Sequence, residues 1–326
     1  MWRAMHVSMA DGEARLLLVI HHLVVDAVSW RVLLEDLRTA YEACCLGQEP
    51  RLPMRSSSYR AWVERLVQDA GRIAAEESDW WLGQLDRAGQ DLPCDNPRGR
   101  NQVSEQAVAR VVLDSTPTSR LLKEAPAAYG TQINDLLLTA LGRVLCRWSE
   151  QESVLVQLEG HGREDVFEAL DLSRTLGWFT SMFPVRLQPE ADIGSSILAI
   201  QGQLQAVPNK GIGYGVLRYL GEPALGERLA RLPQARITFN YLGQFDQSFD
   251  DKALLVPAAE GTGDCYSPVA RLGNWLEIIG QVYDGCLALR CVYSTRRYRP
   301  ETVQALMDDY RAELELLIDH CLARLG

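Results

Sequence analysis

Two adjacent histidines, His21 and His22, close the apolar run in "LVIHHLVVDAVSW" (Leu18–Trp30), and Asp26 follows four residues after the second. The whole chain has five histidines. An imidazole titrates near neutrality and can take or give a proton at physiological pH. Asp26 can orient such a histidine, or it can pair with an arginine as a structural clamp. A second polar group closes another apolar run in "SVLVQLEGHGRE", which presents Glu159 and sets glycines on both sides of His161. A carboxyl group against apolar walls is held partly protonated and can act as acid or base; on a solvated strand end it would be an ordinary surface charge. Arg163 and Glu164, next along, read as surface pairs. A third group, "FNYLGQF" (Phe239–Phe245), carries Asn240 and Tyr241, donors that can hold an oxyanion or be satisfied locally. Together, a histidine and a glutamate on separate strands make a two-base site. One group removes a proton from a carbon and the other delivers a proton to its opposite face.

The elements that must position these groups are legible from apolar periodicity. "ARLLLVIHH" (Ala14–His22) reads as a buried strand after the turn "ADGE", and its alternation sends His21 and His22 to opposite sides. Apolar residues at 28, 32, 33, 37, 40 and 41 give a helix over Val28–Ala43, capped by Asp26 or Ser29. Ser58–Leu85 is a second helix, whose Trp62, Trp80 and Trp81 are packing residues. Asp86–Gln106 is rich in Pro, Gly and Asn and reads as a linker or crossing loop. Beyond it come a strand at Ala107–Asp114, an apolar helix at Thr131–Trp148 with Asn134 near its start, and the strand of Glu159. A helix at "IGSSILAIQGQLQAV", a strand at "ARITFNYLGQF" and a hairpin about Asp284-Gly285 follow. A long helix from Pro300 to Leu325 ends the chain. Interspersed helices and strands make the class α/β or α+β. "NKGIGYG" (Asn209–Gly215) is not a phosphate loop, because no Lys-Ser/Thr follows. No nucleophile elbow is present.

The 326 residues carry a formal charge of −10. That balance disfavours nucleic acid and anionic membrane as main partners; "RRYR" (Arg296–Arg299) is one small basic candidate. The eight cysteines stand at 44, 45, 94, 146, 265, 286, 291 and 321, without CxxC or metal-ligand spacing. Reduced thiols and a start without signal-peptide character give a cytoplasmic expectation. Cys44 and Cys45 are expected to pack.

The motifs, taken in order, resemble a known family. "HHLVVDAVSW" matches HHxxxDxxSW, and "TQINDLLLTAL", "EGHGRED", "DLSRTLGWFTSMFPVRL", "NKGIGYG" and "ITFNYLGQF" follow as in the epimerization domains of nonribosomal peptide synthetases, within the condensation-domain superfamily. The resemblance spans essentially the whole chain. It implies two chloramphenicol-acetyltransferase-like lobes in a V-shaped pseudo-dimer around a tunnel, with residues 1–88 the remainder of the N-terminal lobe, 89–106 the inter-lobe linker and 107–326 the C-terminal lobe. It implies an isomerase of antibiotic and secondary metabolism that inverts the α-carbon of an aminoacyl or peptidyl thioester. The substrate rides on the phosphopantetheine arm of a peptidyl carrier protein, with neighbouring synthetase modules as partners and no cofactor or metal of the domain's own. His22 and Glu159 take the proton-transfer roles, Asp26 and His21 support the histidine loop, and Asn240 and Tyr241 line the site near the thioester. The alternatives are a condensation domain forming peptide bonds and a non-catalytic carrier-docking fragment. Two departures stand out. Ala27 replaces the family's glycine, which strains the turn if φ is positive there. The histidine motif begins at residue 21 rather than beyond residue 100, so the first lobe is expected to lack its N-terminal half, the usual partner of Asp26 included.

Overall fold

The apolar run before His21 forms a strand, but not a buried one. In the computed structural model, which describes residues 1–10, 12–86, 89, 91–244, 254–256, 258 and 260–326, strand β1 (Trp2–Ser8) pairs antiparallel with β2 (Ala14–Ile20) as a two-stranded ribbon. Trp2, Met5, Leu16 and Val19 are exposed, so the ribbon carries apolar side chains on both faces. Asp11 of the expected "ADGE" turn, Arg87, Ala88 and Gln90 of the expected linker, and Phe245 of "FNYLGQF" lie outside the described residues. Helix α1 (Ala27–Cys45) follows, and Asp26 is its N-cap, accepting from the Ser29 N–H at 2.7 Å. Ala27 is the first residue of that helix and is absent from the residues with positive φ. The expected strain at Ala27 does not arise, because a helical first turn accepts any Cβ. Cys44 and Cys45 are exposed at the end of α1 rather than packed.

Helix α2 (Tyr59–Asp86) buries Trp62, Ile73, Trp81 and Leu85 in the main core. That core is built on a six-stranded sheet. Its strands are β3 (Gln106–Leu113), β4 (Val154–Gly160), β5 (Ser181–Leu187), β6 (Ile237–Gln244), β7 (Leu276–Tyr283) and β8 (Cys286–Ser294), in the spatial order β3-β8-β7-β6-β4-β5. β4, β6 and β7 run parallel, and the remaining pairs are antiparallel. The β7–β8 hairpin turns at Asp284-Gly285, where both residues have positive φ (49° and 69°), as a two-residue turn of the expected kind requires.

Strand residues alternate between a wholly apolar face and a polar one. Val156, Leu158, Ile237, Phe239, Ile278 and Leu289 face the core. Between β3 and β4 lie α3 (Ser115–Lys123) and α4 (Ile133–Ser149), and α8 (Pro300–Leu325) ends the chain. α4 is apolar nearly all round, the pattern of a helix buried within a core. Its N-cap is Gln132, whose backbone N–H donates to the Asp135 carboxylate at 2.8 Å, and Asn134 is its second residue, near the start as expected. Glu313 of α8 joins it by accepting from Arg143 at 2.6 Å and Arg147 at 2.9 Å, and the Tyr310 hydroxyl donates to the Leu137 carbonyl. Helices α5 (Ile193–Gln205), α6 (Ile212–Tyr219) and α7 (Pro223–Arg231) fill the crossover from β5 to β6.

Residues 95–105 are fastened to the segment between β8 and α8. Arg297, buried, donates to the Pro97 and Gly99 carbonyls, and the Asn96 N–H donates to the Arg297 carbonyl. Arg299 pairs with Asp95 and Arg296 with Glu105. All three arginines of the candidate basic stretch "RRYR" thus have partners within the chain, Arg296 and Arg299 carboxylates and Arg297 backbone carbonyls. Among the described residues no helix is long and apolar enough to cross a membrane.

Candidate active site

β2 ends at Ile20, and both histidines stand beyond it, at a short 3-10 turn over His22–Val24. Strand alternation therefore does not set their directions. His21 caps the turn, its Nδ1 accepting the Leu23 N–H at 3.2 Å, while His22 is exposed and lies against Trp178 with ring centroids 5.0 Å apart.

Asp26, four residues on, is the point where the ribbon and α1 are tied to the six-stranded body. Its carboxylate accepts from the Ser29 N–H, from the Phe179 N–H at 3.2 Å and from Arg163 Nη2 at 3.0 and 3.2 Å. Arg163 also donates to the Leu172 and Thr175 carbonyls, both at 2.7 Å, and to Ser29 Oγ, and its guanidinium stacks on the Phe179 ring. Burial pushes the Asp26 carboxyl up, but the hydrogen bonds from Ser29, Phe179 and Arg163 outweigh it and hold the group below the usual carboxylate range. Arg163 is thus a buried clamp, not a surface pair, and it supplies the partner of Asp26 expected among residues outside the chain. Ser29 closes the same knot by exchanging hydrogen bonds with the Gly177 backbone. Glu164, in contrast, pairs with His161 at 3.1 Å near the surface.

Gly162 makes this geometry possible. It has φ of +68°, and a Cβ there would lie 1.6 Å from the Phe179 carbonyl oxygen. A Gly162→Ala variant is expected to lose at least about 2 kcal/mol of stability, from the left-handed backbone and the collision together. Urea denaturation checks it.

Glu159 sits at the C-terminal end of β4, next to Asn240 on β6 by the parallel register. Asn240 Nδ2 donates to Glu159 Oε2 at 2.5 Å. The carboxyl is half-buried. Burial pushes it above the usual range, and the charge of Glu277 adds to that; the Asn240 hydrogen bond and the charge of His22 pull the other way without cancelling it. The Tyr241 hydroxyl is a buried oxygen without a hydrogen-bond partner among the described residues, and burial raises its titration. Glu159, Asn240 and Tyr241 line one cavity of about 710 Å³, with the α4 N-terminus and Lys210 on its other walls. Asn209 and Lys210 both have positive φ. Asn209 is held there by the buried Glu77 of α2, which also accepts from Trp81 Nε1. Of "NKGIGYG", Lys210 lines the cavity, and the neighbouring Asn209 is tied to α2. Among the described residues no cluster of His, Cys, Asp or Glu is placed to hold a metal ion.

Three of the six candidate site residues come together here: Glu159, Asn240 and Tyr241 stand in the cavity wall. His22 is not among the described residues that line it; it stands on its turn against Trp178, and its charge bears on Glu159 as the smallest of the influences there. Asp26 and His21 brace the histidine turn. Arg163 and Trp178 join this assembly without any local pattern that marks them. Their only sequence signal is membership of "EGHGRED" and "SRTLGWFT".

Comparison with known proteins gives the family of the chain. The condensation-domain family matches residues 1–326. The chain is 42% identical over 323 residues to a linear gramicidin synthase polypeptide of Brevibacillus parabrevis, and 39% identical over 320 residues to surfactin synthase subunit 1 of Bacillus subtilis. It spans 98% and 97% of itself in those alignments but only 4% and 9% of the two relatives. The crystal structure of the epimerization domain from the third module of tyrocidine synthetase B superposes with a TM-score of 0.87 at 36% identity, covering 97% of this chain and 71% of that one. The X-domain from teicoplanin biosynthesis, at 20% identity and TM-score 0.71 over 98% and 72% of the two chains, shares the fold. With a mixed α/β fold matching those structures and a family match along its full length, this chain belongs to the condensation-domain family.

Proposed function

We propose that the chain epimerizes the α-carbon of an aminoacyl or peptidyl thioester, presented on the phosphopantetheine arm of a peptidyl carrier protein, by proton transfer between His22 and Glu159. The observation that carries this reading is the half-buried Glu159, which stands in a cavity wall hydrogen-bonded to Asn240, with burial pushing its carboxyl above the usual range. A thioester acidifies its α-proton because its carbonyl takes up the enolate charge. One base removes that proton, and the other group returns a proton to the opposite face. The Tyr241 hydroxyl, without a partner among the described residues, can donate to the enolate oxygen. The arm is a substrate carrier, so no resident cofactor is required. The similarity to an epimerization domain supports this choice over peptide-bond formation, which needs an acceptor amine and makes no use of Glu159. Within the same reading, residues 1–88 carry the histidine turn, 89–106 connect and 107–326 form the second lobe, with α2 bridging onto it.

The test incubates the protein with a carrier protein charged with an L-aminoacyl thioester in deuterium oxide. Incorporation of deuterium at the α-carbon together with a mixed D/L product is the expected result. Dipeptide formation without exchange, or neither reaction, overturns it. In the same assay Tyr241→Phe is expected to lower the exchange rate by about 10²-fold, the worth of one oxyanion donor.

A further inference from the structure

The polar face of the six-stranded sheet holds a second half-buried carboxylate. Glu277, the second residue of β7, alternates with the buried Leu276 and Ile278 and so points to the face opposite the core. The register aligns Gln157 of β4 with Thr238 of β6, and Thr238 with Glu277 of β7. Glu159 and Asn240 stand two residues further along their strands, on that same face. Glu277 is fixed where it lies. It accepts from the Asn274 N–H at 3.1 Å and from the Gly273 N–H, while Asn274 Nδ2 donates to Thr238 Oγ1 at 3.2 Å. A polar row therefore runs from Glu277 through Asn274, Thr238 and Asn240 to Glu159, and the charge of Glu277 reaches Glu159.

We propose that Glu277 is a positioning residue that acts along this polar row on Glu159, the group that exchanges a proton with the α-carbon. The inference rests on the proposed epimerization. In the direction where Glu159 donates, its O–H bond breaks as a Cα–H bond forms. The enolate electron pair makes the new bond, the thioester carbonyl is restored, and Glu159 is left as carboxylate. In the reverse direction Glu159 takes that proton back. A carboxylate nearby raises the cost of the bare Glu159 carboxylate, which favours the step in which Glu159 takes a proton back.

Other charges face the pair. His22 comes from the turn before α1, and Arg290 on β8 is paired by register with Ile279. The Cys291 thiol responds to Glu277 from the core side. Arg31, Asp135, His161, Glu164 and Lys210 line the cavity around Glu159. Burial pushes the Glu277 carboxyl up as well, and the Asn274 and Gly273 N–H groups act against that by bonding its charged form.

Glu277→Gln keeps the shape and an acceptor for Asn274 and removes the charge. The experiment follows the Glu159 side-chain carboxyl by carbon-13 NMR across pH, its signal identified by its loss in Glu159→Gln. Deuterium exchange on the charged carrier is measured in parallel. The expected result in Glu277→Gln is a lower Glu159 midpoint and an acid limb of the exchange profile moved to lower pH, with a several-fold higher rate on that limb. Glu277→Asp, which keeps the charge, is expected to leave both nearer the parent. An unmoved Glu159 midpoint in Glu277→Gln overturns the proposal whether or not the protein epimerizes. A moved midpoint in a protein that shows no exchange overturns the epimerase reading and leaves the carboxylate coupling standing.

Discussion

Replacing Glu159 by Gln, or His22 by Ala, is expected to lower α-proton exchange on the carrier-bound thioester by about 10²–10⁴-fold, the contribution of one positioned acid or base, if the proposed epimerization holds. Neither change disturbs a core contact. The amide oxygen introduced by Glu159→Gln still accepts from Asn240, and His22 is exposed on its turn. Thermal stability and carrier binding are therefore expected to stay near the parental values, which separates a chemical defect from a folding one. The two variants are also expected to differ in their pH profiles. Glu159 titrates above the usual carboxylate range, chiefly through burial, so the parent loses its basic carboxylate as pH falls through that raised value. Glu159→Gln removes that limb, and His22→Ala keeps it on whatever residual rate survives. Exchange at the parental rate in both variants would remove these residues from the mechanism.

Arg163→Ala is expected to cost about 3–5 kcal/mol of stability, the usual consequence of stripping one partner from a buried ion pair. The side chains of Arg163 and Asp26 are only 6% and 4% exposed, and Arg163 also satisfies the Leu172 and Thr175 carbonyls and Ser29 Oγ. All lose a donor at once. The pH dependence has a definite sign. Asp26 is held below its unfolded value of about 3.9, so its contribution is fully present above that pH and is lost as pH falls through the lower folded-state value. In Arg163→Ala one cause of that lowering is gone, and the acid loss begins at a higher pH. Urea denaturation between pH 3 and pH 7 measures both effects; a variant as stable as the parent would show that the clamp carries no net stabilisation.

Local pattern is enough to reveal those parts of the molecule that local interactions determine. The β7–β8 hairpin announces itself through Asp284-Gly285, and the strand of Glu159 through an apolar run that stops at glycines. Helix α8 shows its proline start and its apolar stripe. β5 is not legible as a strand because Pro184 interrupts it; the fold tolerates that proline because β5 is the sheet edge, where a missing N–H leaves no ladder bond unmade. The status of Arg163 is not legible either. Its burial depends on Asp26, far away in sequence, and nothing local distinguishes a clamped arginine from a solvated one. The strand ahead of His21 reads as buried although its residues are half-buried or exposed, because apolar composition reports what a segment is able to bury, not whether neighbours cover it. Glu277 carries no mark of its own: a single acid in an alternating strand looks like a solvent-facing position, and only the sheet register brings it near Glu159.

The ties made by the 161–180 segment also bear on recombination between related synthetases. Arg163 grips Asp26 and Ser29, and Arg174 pairs with Glu35 and Asp36, so α1 and this segment form a lock and its key from distant parts of the sequence. A chimera that imports residues 1–45 from one parent and the remainder from another would inherit mismatched halves unless these side chains agree. The exchange that preserves the placement of His22 relative to Glu159 is the one that transfers both segments together.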